Sequence, residues 1–207
     1  TLDPAILGYF AASGSPLMME AAARTAMDRK GGHVARDAGG RLVLRESAQC
    51  RPEDEEAFQD VTRHRYFNTN NLWVHLPSIR RAMEARAGQL GLPMIRNEKT
   101  VDPRDATSTP VYQIETAMGS AISVFKSATA LHVPRDRFAP VKTTNQLLAV
   151  RSDAFDLTDE YRVVPSPGRG ALPPLEVTLD PRYYSFASDL DTRFAHGAPS
   201  CRACTRL

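Results

Sequence analysis

The sequence predicts an α/β fold, and three observations carry that expectation. Helix-start signals recur along the chain: Asp3 before Pro4, Pro52 before an acidic run, and Pro77 at the head of "PSIRRAMEARAGQL". Short extended segments stand between them, "HVAR" and "RLVLRE" around the turn "DAGG", and later "TALHV". No internal repeat organises the 207 residues. Helices alternating with short strands are the pattern of an α/β domain.

In chain order, Asp3 supplies a capping carboxylate and Pro4 the first helical position, after which Ile6, Leu7 and Phe10 share a face. Residues 17–25, "LMMEAAART", suit a strand or a helix equally. His33 to Arg36 and Arg41 to Glu46 read as a hairpin. Glu53, Asp54, Glu55 and Glu56 suit a helix N-terminus and a solvated face better than a metal site. Pro77 opens a helix that Gly91 and Pro93 close, and "PMIRN" is extended. Residues 111–127 read as a long, largely apolar helix, and Pro134 stops the strand "TALHV". Thr143 or Thr144 caps the next helix. Residues 165–174, "PSPGRGALPP", read as a linker, followed by a strand, a turn and a short aromatic-rich helix.

Composition removes several function classes. The chain is 42% hydrophobic and 24% charged, as globular proteins are, and its net charge of +2 gives no nucleic-acid or membrane-surface footprint. No apolar run reaches transmembrane length, the N-terminus has no signal pattern, and Cys50, Cys201 and Cys204 make no disulfide framework. A soluble cytoplasmic protein is the expectation. The start without Met and the ending "APSCRACTRL" suggest a piece of a longer protein. Cys201 and Cys204 have redox or zinc spacing, but only His196 is near them, and His33, His64, His75 and His132 show no ligand spacing. No metal site is expected within the chain.

Four stretches could carry chemistry. In "RKGGHV", Gly31 and Gly32 allow a backbone to approach a ligand, or simply a turn, and Lys30 could balance a phosphate. Lys142 precedes a helix start, with Arg135 and Arg137 nearby; it is either an anion contact or an ordinary surface lysine. Glu115 and Gln113 fall at the start of the helix expected to be buried, where a carboxylate must be paired. "YFNTNNLWVHL" sets Asn68, Asn70 and Asn71 in an apolar run, as a turn and cap or as a polar clamp.

Specific strings add a resemblance. "KGGHV", "LRESAQ", "FNTNNLWVHL", "KTVDPRDATSTPVYQIETAMGSAI" and "VPRDRFAPVKTTNQLLAVRSD" occur in this order. Together they resemble the UTP–glucose-1-phosphate uridylyltransferases, the bacterial and actinobacterial-like forms most closely, from Thr1 to about Ser200. The resemblance implies a Rossmann-like mixed-sheet nucleotidyltransferase domain followed by a left-handed β-helix domain. Residues 1–163 would be the sugar-binding half of the first domain, and residues 164–207 the linker toward the second. The implied reaction joins UTP and glucose 1-phosphate, with magnesium, to give UDP-glucose and pyrophosphate. Lys142 matches the catalytic lysine on the phosphates. Gly31 and Gly32 match glycines against the sugar, Glu46 a carboxylate on its hydroxyls, and Asn68, Asn70 and Asn71 the asparagine clamp, with Asn70 and Asn71 the foremost hexose contacts. Glu115 would orient the site.

The family's Gly-rich nucleotide loop and the Asp that helps bind magnesium would precede Thr1, so the isolated chain is expected to be inactive and to hold magnesium mainly through residues outside it. "CRAC" departs from the family pattern. The alternatives are a non-catalytic sugar-phosphate-binding or degenerate fragment, and a related UDP-N-acetylhexosamine pyrophosphorylase. Against the last, the resemblance implies aromatic residues where Ala117 and Gly119 stand.

Overall fold

The computed structural model describes residues 2–24, 31–138 and 140–207. Lys30 lies outside the described residues. Two units are distinguished, residues 2–134 and residues 135–207.

In the first unit, α1 (Pro4–Ser13) begins where Asp3 accepts from the backbone amides of Ala5 and Ile6, and ends at Gly14, whose φ of 62° is left-handed. The ambiguous segment after it is a strand, β1 (Leu17–Ala23). Its residues are buried on both faces from Leu17 to Ala22, which is why it shows no polar alternation. The expected hairpin forms as β2 (His33–Arg36) and β3 (Leu42–Arg45), paired antiparallel with His33 opposite Arg45. A short α2 (Glu55–Gln59) follows the acidic turn, and β4 (Tyr66–Val74) holds the three asparagines.

Two elements of this unit differ from expectation. The helix after Pro77, α3 (Leu76–Glu84), ends six residues before Leu90, because Ala87 and Gly88 take φ values of 52° and 85° and the Gly88 amide closes back on the Met83 carbonyl at 2.8 Å. The stretch expected as one helix over 111–127 is a strand and then a 3-10 turn. β6 (Pro110–Thr116) pairs antiparallel with β5 (Met94–Thr100), and Met118–Ser123 form the turn. Val111, Tyr112, Ile114 and Thr116 are β-branched or aromatic, the residues that suit a pleated ribbon. The apolar content belongs to two environments: β6 is exposed throughout, while Ala121 and Ile122 of the turn are buried.

β7 (Thr129–His132) pairs parallel with β1, giving a mixed sheet in the order β3-β2-β4-β1-β7. Leu17, Met19, Leu44, Ala121 and Ile122 form a core on one face of this sheet. Burying each of the larger side chains there contributes about 1.5–3 kcal/mol.

In the second unit, α4 (Thr144–Arg151) starts at Thr143, whose side chain accepts from the Gln146 amide while Gln146 reaches back, a capping box. β8 (Phe155–Leu157) and β9 (Val163–Pro165) make a small hairpin, and the predicted linker contains a 3-10 turn at Pro167–Arg169. The strand expected near Glu176 is a single bridge to Arg206, and the aromatic-rich helix is α5 (Ala187–Arg193). Buried Arg169 donates to the carbonyls of Cys201, Arg202, Cys204 and Pro173 at 2.7–3.2 Å. Asp153 accepts from Ser200 Oγ and from the Cys201 and Arg202 amides; the Ser200 bond, then the Cys201 amide, hold its carboxyl below the usual range. These bonds, all but the Ser200 one made to backbone, fix the turn containing Cys201 and Cys204. Burial pushes the Cys201 thiol up, as in an inert core cysteine.

Candidate functional site

The site begins with an irregularity in β4. Met19 faces Leu72, yet Ala21 faces Asn68, so β4 takes four residue steps where β1 takes two. The extra residues form a bulge. Asn70 sits in it with φ of 66°, a conformation asparagine tolerates better than most residues. The Asn68 side chain closes the bulge by accepting from the Asn70 amide at 2.8 Å. Thr69 Oγ1 donates to the Glu20 carbonyl at 2.8 Å and accepts from the Asn71 amide at 3.4 Å. The asparagines therefore do make a turn, inside a strand rather than at a helix cap.

The bulge divides the three amides between the faces of the sheet. Asn68 lies with Met19, Leu44 and Gly119: a methyl group built on Gly119 would stand 2.3 Å from Leu44 Cδ2, 3.0 Å from Asn68 Nδ2 and 3.6 Å from Met19 Cε. Gly32 and Glu46 join this face. The Asn68 backbone N–H donates to the Gly32 carbonyl at 3.0 Å, and a methyl group on Gly32 would stand 2.3 Å from Glu46 Oε2. Gly31 is half-buried in the bend just before. Gly32, Glu46 and Asn68 are thus brought together, 36 residues apart at most by number, with Asn70 exposed at the bulge. Any side chain larger than hydrogen at position 32 would displace the Glu46 carboxylate.

Asn71 goes the other way. Its Nδ2 lies 3.4 Å from Oε2 of Glu20, whose Oε1 accepts from Trp73 Nε1 at 2.8 Å. Trp73 also packs against Phe10 of α1. The expectation that Asn71 stands with Asn68 in one clamp is corrected: residues an odd number of steps apart along a strand point to opposite faces, and Asn71, three steps on, takes the face of Glu20. Glu20, at 1% exposure, escapes the sequence reading, although a lone acid within "LMMEAAA" is the signal of a buried carboxylate that must find partners.

The same reverse face holds a basic cluster. His33, fully buried, stacks on His64 with ring centroids 4.0 Å apart and meets Phe58 in a tilted contact at 4.5 Å. Arg24 Nη1 approaches His33 Nδ1, and Arg45 Nη1 approaches His33 Nε2, each at 3.4 Å. Burial first, then the positive charges of His64, Arg24 and Arg45, push the His33 pKa down to about 3. His64 is lowered too, by burial and then by Arg45. Since His33 follows Gly32 and pairs with Arg45, which precedes Glu46, this cluster sets the backbone that carries both site residues.

Glu115 does not fit its expected environment. It is exposed on β6, where Asn97 Nδ2 donates to its Oε1 at 2.7 Å, because the segment is a strand and not a buried helix. In the second unit Lys142 is exposed just before α4, and its backbone amide donates to Gln146 Oε1 at 2.6 Å. Among the described residues no group of three or more His, Cys, Asp or Glu side chains has metal-binding geometry, so these residues do not by themselves fit a magnesium ion. Among them, no helix is long and apolar enough to cross a membrane.

Comparison with known proteins bears on the family of the chain. The family model for UTP–glucose-1-phosphate uridylyltransferase matches residues 1–207. The Solanum tuberosum UTP–glucose-1-phosphate uridylyltransferase is 38% identical over 189 residues, 91% of this chain and 38% of that protein. The Saccharomyces cerevisiae enzyme is 40% identical over 157 residues, 76% of this chain and 31% of that protein. Among solved structures, UDP-glucose phosphorylase from Trypanosoma brucei superposes with a TM-score of 0.85 at 46% identity, covering 100% of this chain and 44% of that one. A mutant of UDP-glucose pyrophosphorylase from Leishmania major, in complex with UDP-glucose, gives 0.83 at 45% identity, covering 100% and 45%. The chain thus spans less than half the length of these relatives. All of them are eukaryotic, so the expected bacterial affinity is not supported.

Proposed function

The chain belongs to the UTP–glucose-1-phosphate uridylyltransferase family, and from that premise we propose that it forms the sugar-phosphate side of a nucleotidyltransferase making UDP-glucose and pyrophosphate from UTP and glucose 1-phosphate. The observation that carries this reading is the convergence of Gly32, Glu46 and Asn68 on one face, beside the Asn70 bulge. A bare glycine backbone, a carboxylate and side-chain amides are the groups that recognise a ring of hydroxyls. That the Leishmania relative was solved with UDP-glucose supports the same assignment.

Glu46, seated over the bare backbone of Gly32, accepts from sugar hydroxyls, Asn68 and Asn70 complete the polar wall, and Gly31 lies beside them. The phosphate oxygen of glucose 1-phosphate attacks the α-phosphorus of UTP in line, and pyrophosphate leaves. Lys142 neutralises charge growing on the phosphates. Magnesium, in this reading, is held by substrate phosphates and by residues outside this chain. Glu115 acts at most through Asn97. All three cysteines are free thiols, which suits a reducing compartment, and the reading carries a cytoplasmic location. It also carries the division at residue 163. Residues 164–207 hold little regular structure besides the end of β9, the 3-10 turn at Pro167–Arg169, α5 and one bridge, as a segment leading to a left-handed β-helix domain would.

Calorimetric titration of the chain with glucose 1-phosphate tests the reading. Binding is expected, with Gly32→Ala weakening it about tenfold or more by displacing Glu46. Absence of binding, or indifference to Gly32→Ala, overturns it. In a complete enzyme containing this chain, Lys142→Ala is expected to lower turnover by about two to three decades while sugar affinity holds.

A further inference from the structure

Glu20 has no role in the reading above, yet it is the one fully buried carboxylate beneath the bulge among the described residues. It engages three positions of β4. Its two carboxylate oxygens receive Asn71 Nδ2 at 3.4 Å and Trp73 Nε1 at 2.8 Å, and its backbone carbonyl receives Thr69 Oγ1 at 2.8 Å. Those positions flank Asn70 on both sides. A carboxylate offers acceptors only, so the amide of Asn71 must turn its NH2 toward Glu20. We propose that Glu20 is a positioning residue for sugar binding: with Asn71 as its counterpart it latches the bulge from the reverse face, and so holds Asn70 and Asn68 in the geometry that meets the sugar. Asn71 is then a latch and not a sugar ligand. The proposal rests on the sugar-site reading.

The geometry prescribes a polarity swap. Asn71→Asp sets a second carboxylate against that of Glu20, where a donor is required. Adding Glu20→Gln reverses the pair: the new amide keeps an oxygen for Trp73 Nε1 and turns its NH2 to the new carboxylate.

The test uses the full chain, with calorimetric affinity for glucose 1-phosphate and the indole N–H resonance of Trp73, the single tryptophan of the sequence, read by NMR. Working well below the unfolding midpoint of every variant separates positioning from stability. Asn71→Asp is expected to shift the indole resonance and weaken sugar binding about tenfold, and the double variant to restore both. If Asn71→Asp binds like the parent, the bulge is not positioned by the latch. If the double variant restores the indole signal but stays weak, Asn71 is itself a ligand. Either result overturns the proposal. An unmoved indole resonance in Asn71→Asp removes the latch whatever the sugar does. Failure of the parent chain to bind glucose 1-phosphate defeats the sugar-site reading and the positioning role with it, and the indole arm still decides separately whether the latch exists.

Discussion

The two faces of the central sheet differ in kind. One packs Leu17, Met19, Leu44, Ala121 and Ile122 together and ends in the polar edge of Gly32, Glu46 and Asn68. The other buries charge and amide groups beneath the same strands: Glu20 under the bulge, and His33 among Arg24, Arg45 and His64. The apolar face stabilises by burial, which depends little on pH. The polar face depends on every buried group keeping its partner and its protonation state. The contrast amounts to a division of labour: the residues we assign to the sugar lie on one side, and those that fix their backbone lie on the other.

The sharpest way to break that contrast is acid. His33 stays neutral in the folded protein down to about pH 3, whereas in the unfolded chain it titrates near 6.5. The unfolded state therefore binds more protons between those values, and stability falls as pH drops through that window. His64 shifts in the same direction and adds to the loss. At pH 4 the loss from His33 is on the order of 3 kcal/mol. The depressed carboxylates, such as Asp37 and Asp153, lose stability only at lower pH, as their folded-state pKa values are crossed, so the window from 6.5 to 5 isolates the histidines. Urea denaturation at about pH 7, 6 and 5 measures it. A flat stability across those values would show that the buried imidazole is not held neutral by its surroundings.

Much of this fold is legible in local sequence. The Asp3–Pro4 helix start, the "DAGG" hairpin and the Thr143 cap all depend on residues within a few positions of each other. β1 is ambiguous in sequence because a central strand buried on both faces loses its alternation, and the apolar count over 111–127 conceals a change from exposed strand to buried turn. Of the proposed site, Gly32, Glu46 and the asparagines are singled out by their motifs. The face taken by each amide is not, because it is set by a bulge against β1 and by Glu20, 51 residues away from Asn71. Non-local pairings of this kind leave no periodic trace, and only the isolated acid in an apolar run hints at it.

A second, smaller effect sharpens the contrast from the apolar side. Gly119→Val places carbon within 2.3 Å of Leu44 Cδ2 and 3.0 Å of Asn68 Nδ2. Overpacking of this sort costs about 2 kcal/mol, and its nearest polar casualty is the side chain that closes the bulge. Sugar affinity should therefore fall along with the unfolding midpoint, with both measurable on the same sample by calorimetry. Gly119→Val with an unchanged midpoint would mean that the core beside the site has slack that the packing does not suggest.

The smallest effect tests the reverse face by a single hydroxyl. Thr69 is buried, donates to the Glu20 carbonyl and accepts from the Asn71 amide. Thr69→Val keeps the shape and removes both bonds, which is expected to cost about 1–2 kcal/mol because a carbonyl and an amide lose a partner together. Glu20 and Asn71 keep their own side-chain contact, so sugar affinity should change far less than the unfolding midpoint. A large loss of affinity with the midpoint intact would move the control of the bulge from the Glu20–Asn71 pair to Thr69, and the line between supporting and contacting residues would have to be drawn inside β4 itself.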